Sequence, residues 1–292
     1  MQQRRIGDVS VSAIGLGGMQ LSLGDRMPPE RDAIRTVHAA LDAGVTLIDT
    51  ADAYAPDSDS VGHNERLIAK AIRAWSGDAS AVLVATKGGH TRTPGGGWGT
   101  DARPEYLRQA CEASLRALGV EAIGLYQFHR PDPAIPTGEA VATLAELKAE
   151  GKIRMVGVSN FNPAQIEEAA TITELAAVQN EFSPRFRSSL PELELCAGRG
   201  IAFLPWSPLG GMSSAAELGS RHAPFAEVAR ERGVSPQQVA LAWQLALAPV
   251  VIPIPGASRP ETILDSVGAV DLELSDEELS RLNAAEAATA AV

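Results

Sequence analysis

The sequence has few cysteines, few aromatic residues and no excess of basic side chains. Its two cysteines, Cys111 and Cys196, both lie in segments with helical spacing. We therefore expect neither a disulfide framework nor a cysteine metal site, and infer a reducing, cytoplasmic setting. The formal net charge of the 292 residues is −11. Nucleic acids and anionic membranes need a basic surface, so this charge argues against both as main partners.

We also expect neither a secretory signal nor a membrane-spanning segment from this sequence. The N-terminal residues Met1 to Gly7 contain no apolar core of a secretory signal. The most apolar stretch, residues 239–257, is broken by Pro249 and preceded by the helix-start signal Ser235-Pro236. It therefore predicts a helix followed by a separate strand, and not a membrane span.

Three common catalytic or binding patterns are absent. The chain has no Gly-x-Ser-x-Gly and no His-Glu-x-x-His, which disfavours hydrolysis by the usual routes. The segment Ile14 to Met19 comes closest to Gly-x-Gly-x-x-Gly but lacks the third glycine. A Rossmann-type dinucleotide site is therefore weakly supported.

What the chain does contain is a regular alternation of strand-like and helix-like segments. Apolar, strand-like runs recur near residues 13–18, 45–49, 81–86, 123–128, 153–158, 176–180, 201–205 and 250–254. Strands that alternate with helices pair in parallel, and eight units suggest closure. We predict an α/β fold, a (β/α)8 TIM barrel forming one domain over residues 1–292; an open doubly wound sheet is the competing architecture.

Two additions flank the predicted repeat. Residues 4–12 indicate a short N-terminal β-hairpin that turns at Gly7-Asp8. Ser275 and Glu278 form a capping pattern for an extra C-terminal helix, which comes too late in the chain to belong to the eight repeats.

Four side chains at predicted strand ends form the candidate site. Asp49 ends an apolar strand and Tyr54 follows in the next loop, while Lys87 and His129 end two later strands. In a barrel the C-terminal ends of all strands meet at one face, so we expect these residues to converge. Each also has an ordinary structural explanation, as a helix cap, a solvated lysine or a core histidine.

These four side chains suit the protonation of an oxyanion. A free tyrosine titrates near 10, and a neighbouring ammonium favours the phenolate. We expect Lys87 to push Tyr54 toward ionisation, Asp49 to hold Lys87, and His129 to share the proton or orient a substrate oxygen.

The same segments resemble the aldo/keto reductases. The resemblance rests on residues 44–54, Thr86-Lys87, residues 127–130, residues 157–161, residues 179–181 and residues 206–210, in order and over nearly the whole chain. It implies a (β/α)8 barrel that binds NADPH, with Tyr54 as general acid, Lys87 and Asp49 tuning it, and His129 orienting the carbonyl.

The resemblance also implies a set of cofactor-binding positions. Ser159, Asn160 and Gln179 would bind the nicotinamide amide, and Trp206 would stack on the ring. Its neighbours Ser207 and Leu209 would follow the pyrophosphate. Ser258 and Arg259, before a helix, would clamp the 2′-phosphate and so favour NADPH over NADH. Many relatives have Glu-Asn at the adenine where this chain has Asp265-Ser266. The full set is Gly18, Met19, Asp49, Ser159, Asn160, Gln179, Trp206, Ser207, Leu209, Gly256, Ser258, Arg259, Thr262, Asp265 and Ser266.

We therefore predict an NADPH-dependent reductase of small aldehydes or ketones, with no metal, nucleic-acid or membrane partner. Residues 90–100, which include Trp98, and residues 21–27 are expected to build the substrate pocket. Two alternatives remain open at this point. One is a cofactor-binding regulatory or sensor subunit without turnover, and the other is a Schiff-base aldolase with Lys87 as nucleophile.

Overall fold

A computed structural model describes residues 1–24, 27–211 and 214–285 of the chain. Its main feature is a seven-stranded parallel sheet, in the order β11-β10-β9-β8-β5-β4-β3. The strands of this sheet are β3 (Leu16–Gly17), β4 (Leu47–Asp49), β5 (Leu83–Gly88), β8 (Ile123–Phe128), β9 (Ile153–Ser159), β10 (Leu175–Gln179) and β11 (Ala202–Phe203). Two antiparallel hairpins stand apart from it: β1 (Gln3–Ile6) with β2 (Val9–Ser12), and β6 (His90–Arg92) with β7 (Trp98–Thr100).

Helices alternate with the strands and cover the outside of the sheet. They are α1 (Glu30–Asp42), α2 (His63–Ala74), α3 (Pro104–Leu118), α4 (Thr137–Ala149), α5 (Pro163–Ile172), α6 (Leu190–Arg199), α7 (Leu218–Arg221), α8 (Ala223–Arg232), α9 (Pro236–Leu247), α10 (Pro260–Gly268) and α11 (Asp276–Ala284). Helix α9 begins at its predicted start signal, with Ser235 as N-cap and Pro236 as first residue. Helix α3 starts at Pro104 and stops at Gly119, whose φ of 69° suits glycine.

The sheet closes through an extended segment, residues 250–256, that lies between β11 and β3. Parallel bridges join Val251 to Phe203 on one side and Gly256 to Gly17 on the other. At Gly17 a Cβ would lie 2.7 Å from the Ile254 carbonyl oxygen, so only glycine permits this approach. The predicted (β/α)8 barrel with its N-terminal hairpin is thus confirmed.

The strand predicted near residues 250–254 differs from expectation in one respect, because it forms no regular ladder. Gly15 and Gly17 donate backbone N–H bonds of 2.9 Å to the carbonyls of Pro253 and Pro255. These prolines have no N–H to donate back, so half of the bonds on that side are missing. The prolines explain why the eighth strand closes the barrel only through isolated bridges.

Inward-facing positions change from apolar to polar along each strand. Side chains two residues apart in a strand point to the same face. Leu47 is followed by Asp49, Ala85 by Lys87, and Leu125 by Gln127. The apolar members form one buried cluster with Met155, Ala177, Leu204 and Ile252. The strands therefore fill the barrel with apolar side chains below and present polar ones at their C-terminal ends.

The hairpin β1–β2 seals the opposite, N-terminal end of the barrel. Its Ile6 and Val11 belong to the same apolar cluster as the interior strand residues. The Arg4 guanidinium donates to the carbonyl oxygens of Leu245, Ala248 and Val251, the latter at 2.8 Å. Two of these carbonyls end α9 or follow it, where no helical donor remains.

The predicted C-terminal helix is also confirmed, and an ion pair attaches it. Ser275 and Glu278 form the predicted capping box at the start of α11. Both Glu278 carboxylate oxygens also accept from Arg232 of α8, at 2.6 and 2.7 Å. These bonds lower the pKa of Glu278 to about 2. Within the described ranges, no helix has the length and apolar character needed to cross a membrane.

Replacing Arg4 by methionine should destabilise the protein. The Leu245 and Val251 carbonyls would lose their donor, and the Ala248 carbonyl would keep only the Val251 N–H. We therefore expect a loss of about 2 kcal/mol in the free energy of unfolding. Urea unfolding followed by far-UV circular dichroism measures it. The exposed neighbour Arg5 is the matched control, and Arg5→Met should change the value by less than about 0.5 kcal/mol. Equal unfolding midpoints for the two variants would contradict this role of Arg4.

Candidate active site

A cavity opens at the C-terminal ends of the barrel strands. Its residues come from most of the strand ends and from the loops that follow them. They are Gly17, Met19, Gln20, Asp49, Tyr54, His90, Trp98, His129, Arg130, Ser159, Asn160, Gln179, Trp206, Ser207, Pro208, Leu209, Gly211, Ala215, Ile254, Pro255 and Gly256. Three of the four predicted catalytic residues line it, and the fourth, Lys87, lies directly beneath.

Lys87 and Asp49 form a fully buried ion pair at the inner end of the cavity. The Lys87 Nζ lies 2.6 Å from Asp49 Oδ1 and donates a second bond of 2.8 Å to the Thr50 carbonyl. Burial lowers the pKa of Lys87, but the Asp49 carboxylate and the Tyr54 hydroxyl outweigh it, and the net shift is upward. The lysine therefore stays an ammonium at neutral pH.

The second oxygen of Asp49 is held by two glutamines. Gln179 Nε2 donates to Asp49 Oδ2 at 2.8 Å, and Gln127 Nε2 reaches it at 3.3 Å. Gln127 was not among the predicted site residues. Its inward parity with His129 on β8 was the available signal, and β-sheet register confirms it by pairing Gln127 with Lys87.

Tyr54 is folded back over this ion pair. Its hydroxyl lies 3.3 Å from Lys87 Nζ, and its side chain is 9% exposed at the cavity. The expected effect of the ammonium is present, since Lys87 lowers the pKa of Tyr54. Burial raises this pKa more strongly, and the nearby Asp49 carboxylate adds to the rise. The predicted effect of Lys87 on Tyr54 is therefore present, but desolvation of the phenolate outweighs it, and the net shift of the pKa is upward.

His129 approaches Tyr54 from the neighbouring strand end. The two rings meet edge to face with centroids 5.7 Å apart. Burial, followed by the charge of Lys87, holds the pKa of His129 well below its usual value. Its imidazole is therefore neutral at pH 7. Among the described residues its Nδ1 has no hydrogen-bond partner.

Four predicted cofactor residues form a connected polar wall. Asn160 donates from Nδ2 to the His129 carbonyl at 3.0 Å, and its Oδ1 accepts from Trp206 Nε1 at 3.2 Å. Ser159 Oγ donates to the Gln179 carbonyl at 2.7 Å. Asn160 has a φ of 62°, and Ser207, next to Trp206, has a φ of 47°. Left-handed backbone at non-glycine residues is uncommon and concentrates at functional sites.

The opposite wall comes from the hairpin β6–β7, which lies in the predicted pocket segment 90–100. The rings of His90 and Trp98 stack with centroids 4.5 Å apart, and Trp98 is 43% exposed. His90 also meets His129 edge to face at 4.9 Å. Of the second predicted segment, 21–27, Asp25 and Arg26 lie outside the described residues. Its neighbours Met19 and Gln20 line the cavity.

The remaining predicted cofactor residues lie beyond the cavity lining. Ser258 and Arg259 directly precede α10, and Arg259 is exposed. Asp265 accepts from Ser235 Oγ and Gln238 Nε2, both at 2.8 Å. Buried Ser266 donates to the Thr262 carbonyl at 3.1 Å. Asp265 and Ser266 therefore already have structural partners, and their contact with an adenine stays a prediction.

One further predicted residue lies near the cavity without lining it. Gly18 donates its N–H to the Asp49 carbonyl at 2.7 Å and accepts from Asn64 Nδ2 at 2.8 Å. A Cβ at Gly18 would lie 2.7 Å from Asn64 Oδ1. Glycine at this position therefore lets the loop after β3 pack tightly against the end of β4.

Comparison with known proteins identifies relatives along the whole chain. The profile of the Aldo/keto reductase family matches residues 13–287. An uncharacterized oxidoreductase of Schizosaccharomyces pombe is 34% identical, covering 96% of this chain and 88% of that protein. Pyridoxine 4-dehydrogenase of Escherichia coli is 33% identical, covering 95% and 96%.

Solved structures show the same fold. The glycerol dehydrogenase of Gluconobacter oxydans superposes with a TM-score of 0.81 at 27% identity, covering 96% of this chain and 94% of that one. An aldo/keto reductase of Klebsiella pneumoniae, solved in complex with NADP and acetate, gives 0.79 at 28% identity, covering 96% and 93%.

The Lys87–Asp49 pair should show strong energetic coupling. Lys87→Met or Asp49→Asn alone leaves a buried charge without its partner, so we expect each to cost about 3–5 kcal/mol of unfolding free energy. The double variant should cost at least 1 kcal/mol less than the sum of the two. Urea unfolding of the four proteins gives this coupling.

A surface pair provides the comparison for this double-mutant cycle. Arg281 and Glu231 are 2.9 Å apart and partly exposed. The same cycle with Arg281→Met and Glu231→Gln should give a coupling below about 1 kcal/mol. Additive effects at Lys87 and Asp49 would show that the buried pair is not coupled.

Stability should fall as the cavity histidines are forced to protonate. Burial, with Arg130 and Arg92 nearby, lowers the pKa of His90 to about 4, and the pKa of His129 is also depressed. The unfolded chain then binds more protons than the folded one below about pH 6.5. The contribution of neutral His90 to the free energy of unfolding is complete above about pH 6.5 and is lost as the pH falls toward about 4.

A histidine substitution separates this effect from the titration of carboxylates. Between pH 7.5 and 5, His90→Gln should lose less unfolding free energy than the wild type, as measured by urea titrations at each pH. Identical pH dependences for the two proteins would argue against a neutral His90.

Proposed function

The chain belongs to the aldo/keto reductase family, and on that premise we propose that it reduces aldehydes or ketones to alcohols with NADPH, using Tyr54 as the proton donor. The observation that carries the proposal is the contact of 3.3 Å between the Tyr54 hydroxyl and the Lys87 ammonium at the inner end of the cavity. This arrangement suits a substrate carbonyl, whose oxygen accepts a hydrogen bond and then a proton from the Tyr54 hydroxyl.

The protonation state of Tyr54 supports its role as an acid. Because its pKa is raised in the site as it stands, the phenol carries its proton at neutral pH. When the proton passes to the substrate oxygen, the resulting phenolate lies beside the Lys87 ammonium. Asp49 keeps that ammonium in place, and Gln127 and Gln179 fix Asp49 in turn. The chain thus supplies a preorganised positive charge where negative charge develops.

His129 is suited to orient the carbonyl and not to act as the acid. A neutral imidazole has one N–H donor and one acceptor nitrogen. Its depressed pKa means that it is not an imidazolium at pH 7, and so it lacks the second, acidic proton that a proton donor would release. We propose that it donates one hydrogen bond to the substrate oxygen, and so sets the angle at which this oxygen meets Tyr54.

The polar wall of the cavity fits a nicotinamide. Ser159, Asn160 and Gln179 offer hydroxyl and amide groups that suit a carboxamide, and the Trp206 indole offers a flat apolar face. When bound, NADPH supplies a hydride to the carbonyl carbon. The relatives solved with NADP or NADPH support the choice of this cofactor class.

The region before α10 supports NADPH over NADH. Pro260, the first residue of α10, has no N–H, and the Thr262 N–H donates to the Arg259 carbonyl. Among the described residues the Glu261 N–H has no acceptor, so it is available to an anion at this helix start. Ser258 adds a hydroxyl and Arg259 an exposed guanidinium at this helix start. We propose that they hold the 2′-phosphate of the adenosine.

A Schiff-base aldolase is poorly supported by the state of Lys87. An amine nucleophile must lose its proton, yet the pKa of Lys87 is raised by Asp49 and Tyr54. Lys87 is also fully buried beneath Tyr54, so its Nζ does not line the cavity. The same lysine suits the reductase, in which its charge and not its lone pair is used.

Replacing Tyr54 by phenylalanine should abolish most of the activity. The change removes the proton donor and leaves the ring, so we expect kcat to fall at least a hundredfold, with NADPH binding within about twofold of wild type. NADPH oxidation followed by absorbance, over a panel with pyridoxal, methylglyoxal and a nitrobenzaldehyde, measures turnover. Quenching of tryptophan fluorescence measures binding.

Tyr106→Phe is the matched control for this experiment. Tyr106 lies on α3 and lines a different cavity, so its hydroxyl should not matter for turnover. Full activity of Tyr54→Phe would disprove the role of Tyr54. A wild type that binds NADPH tightly but reduces no carbonyl would favour the sensor alternative.

A further inference from the structure

Arg130 lines the cavity but belongs neither to the Lys87–Asp49 ion pair nor to the proposed cofactor contacts. It directly follows His129 at the end of β8 and lines the cavity, while remaining exposed. Its charge reaches inward, since it contributes to the lowered pKa values of His129 and His90. Arg130 therefore lies beside the position where we propose that His129 orients the substrate carbonyl.

This guanidinium is not neutralised by the protein. None of the ion pairs among the described residues involves Arg130. The half-buried carboxylate of Glu181 feels its charge, but it feels that of Arg185 more strongly. By contrast, the arginines Arg103, Arg108, Arg232 and Arg281 are paired on the surface.

The cofactor does not account for this charge either. In the proposed complex its phosphates lie along Ser207 and Leu209 and at Ser258 and Arg259. Arg130 instead adjoins His129, the residue that we propose orients the substrate carbonyl. A free guanidinium beside the substrate position, in a chain of net charge −11, is a local attraction for anions.

We propose that Arg130 is a specificity residue that binds an oxyanion group, a carboxylate or a phosphate, at the far end of the carbonyl substrate. The inference rests on the proposed function. The preferred substrate has a carbonyl at Tyr54 and His129, an apolar middle and an oxyanion at the mouth. The stacked rings of His90 and Trp98 supply an apolar wall between the two ends. A planar guanidinium matches an oxyanion through two parallel hydrogen bonds.

The test compares aldehydes that differ only in charge. 4-Carboxybenzaldehyde is paired with its neutral methyl ester, and 4-formylphenyl phosphate with its neutral dimethyl ester. The wild type should show kcat/KM roughly ten- to a hundredfold higher for the anionic member of at least one pair. The pair that shows the preference identifies the group as carboxylate or phosphate.

Substitution of Arg130 should remove that preference selectively. In Arg130→Gln, kcat/KM for the anionic aldehyde should fall roughly ten- to a hundredfold, mainly through KM, while the neutral ester keeps its value within about twofold. Arg130→Lys should recover part of the loss, since it restores the charge without the planar fork. Arg103→Gln removes a positive charge outside the cavity and should behave as wild type.

Ionic strength and cofactor binding provide two further readouts. Added salt should weaken the reaction of the anionic aldehyde more than that of its ester, because the guanidinium is solvent-exposed. NADPH affinity, measured by fluorescence quenching, should be unchanged in Arg130→Gln. A loss of NADPH affinity would instead assign Arg130 to the cofactor and overturn the inference.

The inference and the proposed function fail in different ways. If wild type and Arg130→Gln both reduce neutral and anionic aldehydes equally well, the proposed role of Arg130 is wrong. The proposed reductase activity is then still supported. If no aldehyde of either charge is reduced, the proposed function fails, and the inference fails with it.

Discussion

The burial of the Asp49 carboxylate is the constraint on which the rest of this site depends. An unpaired charge in a barrel interior is too costly to persist, so Asp49 requires donors on every accessible side. Lys87 of β5, Gln127 of β8 and Gln179 of β10 provide them. One carboxylate on β4 thereby fixes the relative positions of three other strand ends. The geometry of the candidate site is a consequence of this requirement.

Strand parity explains why these groups meet without disturbing the core. Each inward position that carries a polar side chain lies one step above an apolar one, as Asp49 lies above Leu47 and Lys87 above Ala85. The strands hold the reacting groups rigidly, because their backbone is fixed by the parallel ladder. The substrate wall is built differently, since His90 and Trp98 stand on a separate hairpin. In the function that we propose, the charged pair thus lies on the sheet, while Tyr54, His129 and the substrate wall lie on the loops that follow the strands.

Much of the fold and of the inner site could be predicted from the sequence. Alternating strands and helices gave the barrel, and residues at strand ends were expected to converge because parallel strands end at one face. Other features depend on distances that no local pattern encodes. The prolines at 253 and 255 weakened the last strand, although its apolar run resembled the others. The arginine that follows His129 has no distinguishing pattern, and its significance comes from its place on the cavity, where it makes no ion pair with any described residue.

The pKa of Tyr54 shows most clearly an effect of packing that the sequence alone does not reveal. An ammonium beside a phenol favours ionisation, and from the sequence this was the only effect that could be assigned a direction. Packing adds two opposing effects, because the phenol is buried and Asp49 offsets much of the charge of Lys87. The net rise matters for the chemistry proposed here. A tyrosine that ionised at rest would have no proton to give, whereas a buried phenol beside a paired ammonium keeps its proton until a substrate oxygen accepts it. The ion pair therefore acts on the phenolate that forms during the reaction more than on the phenol that waits for it.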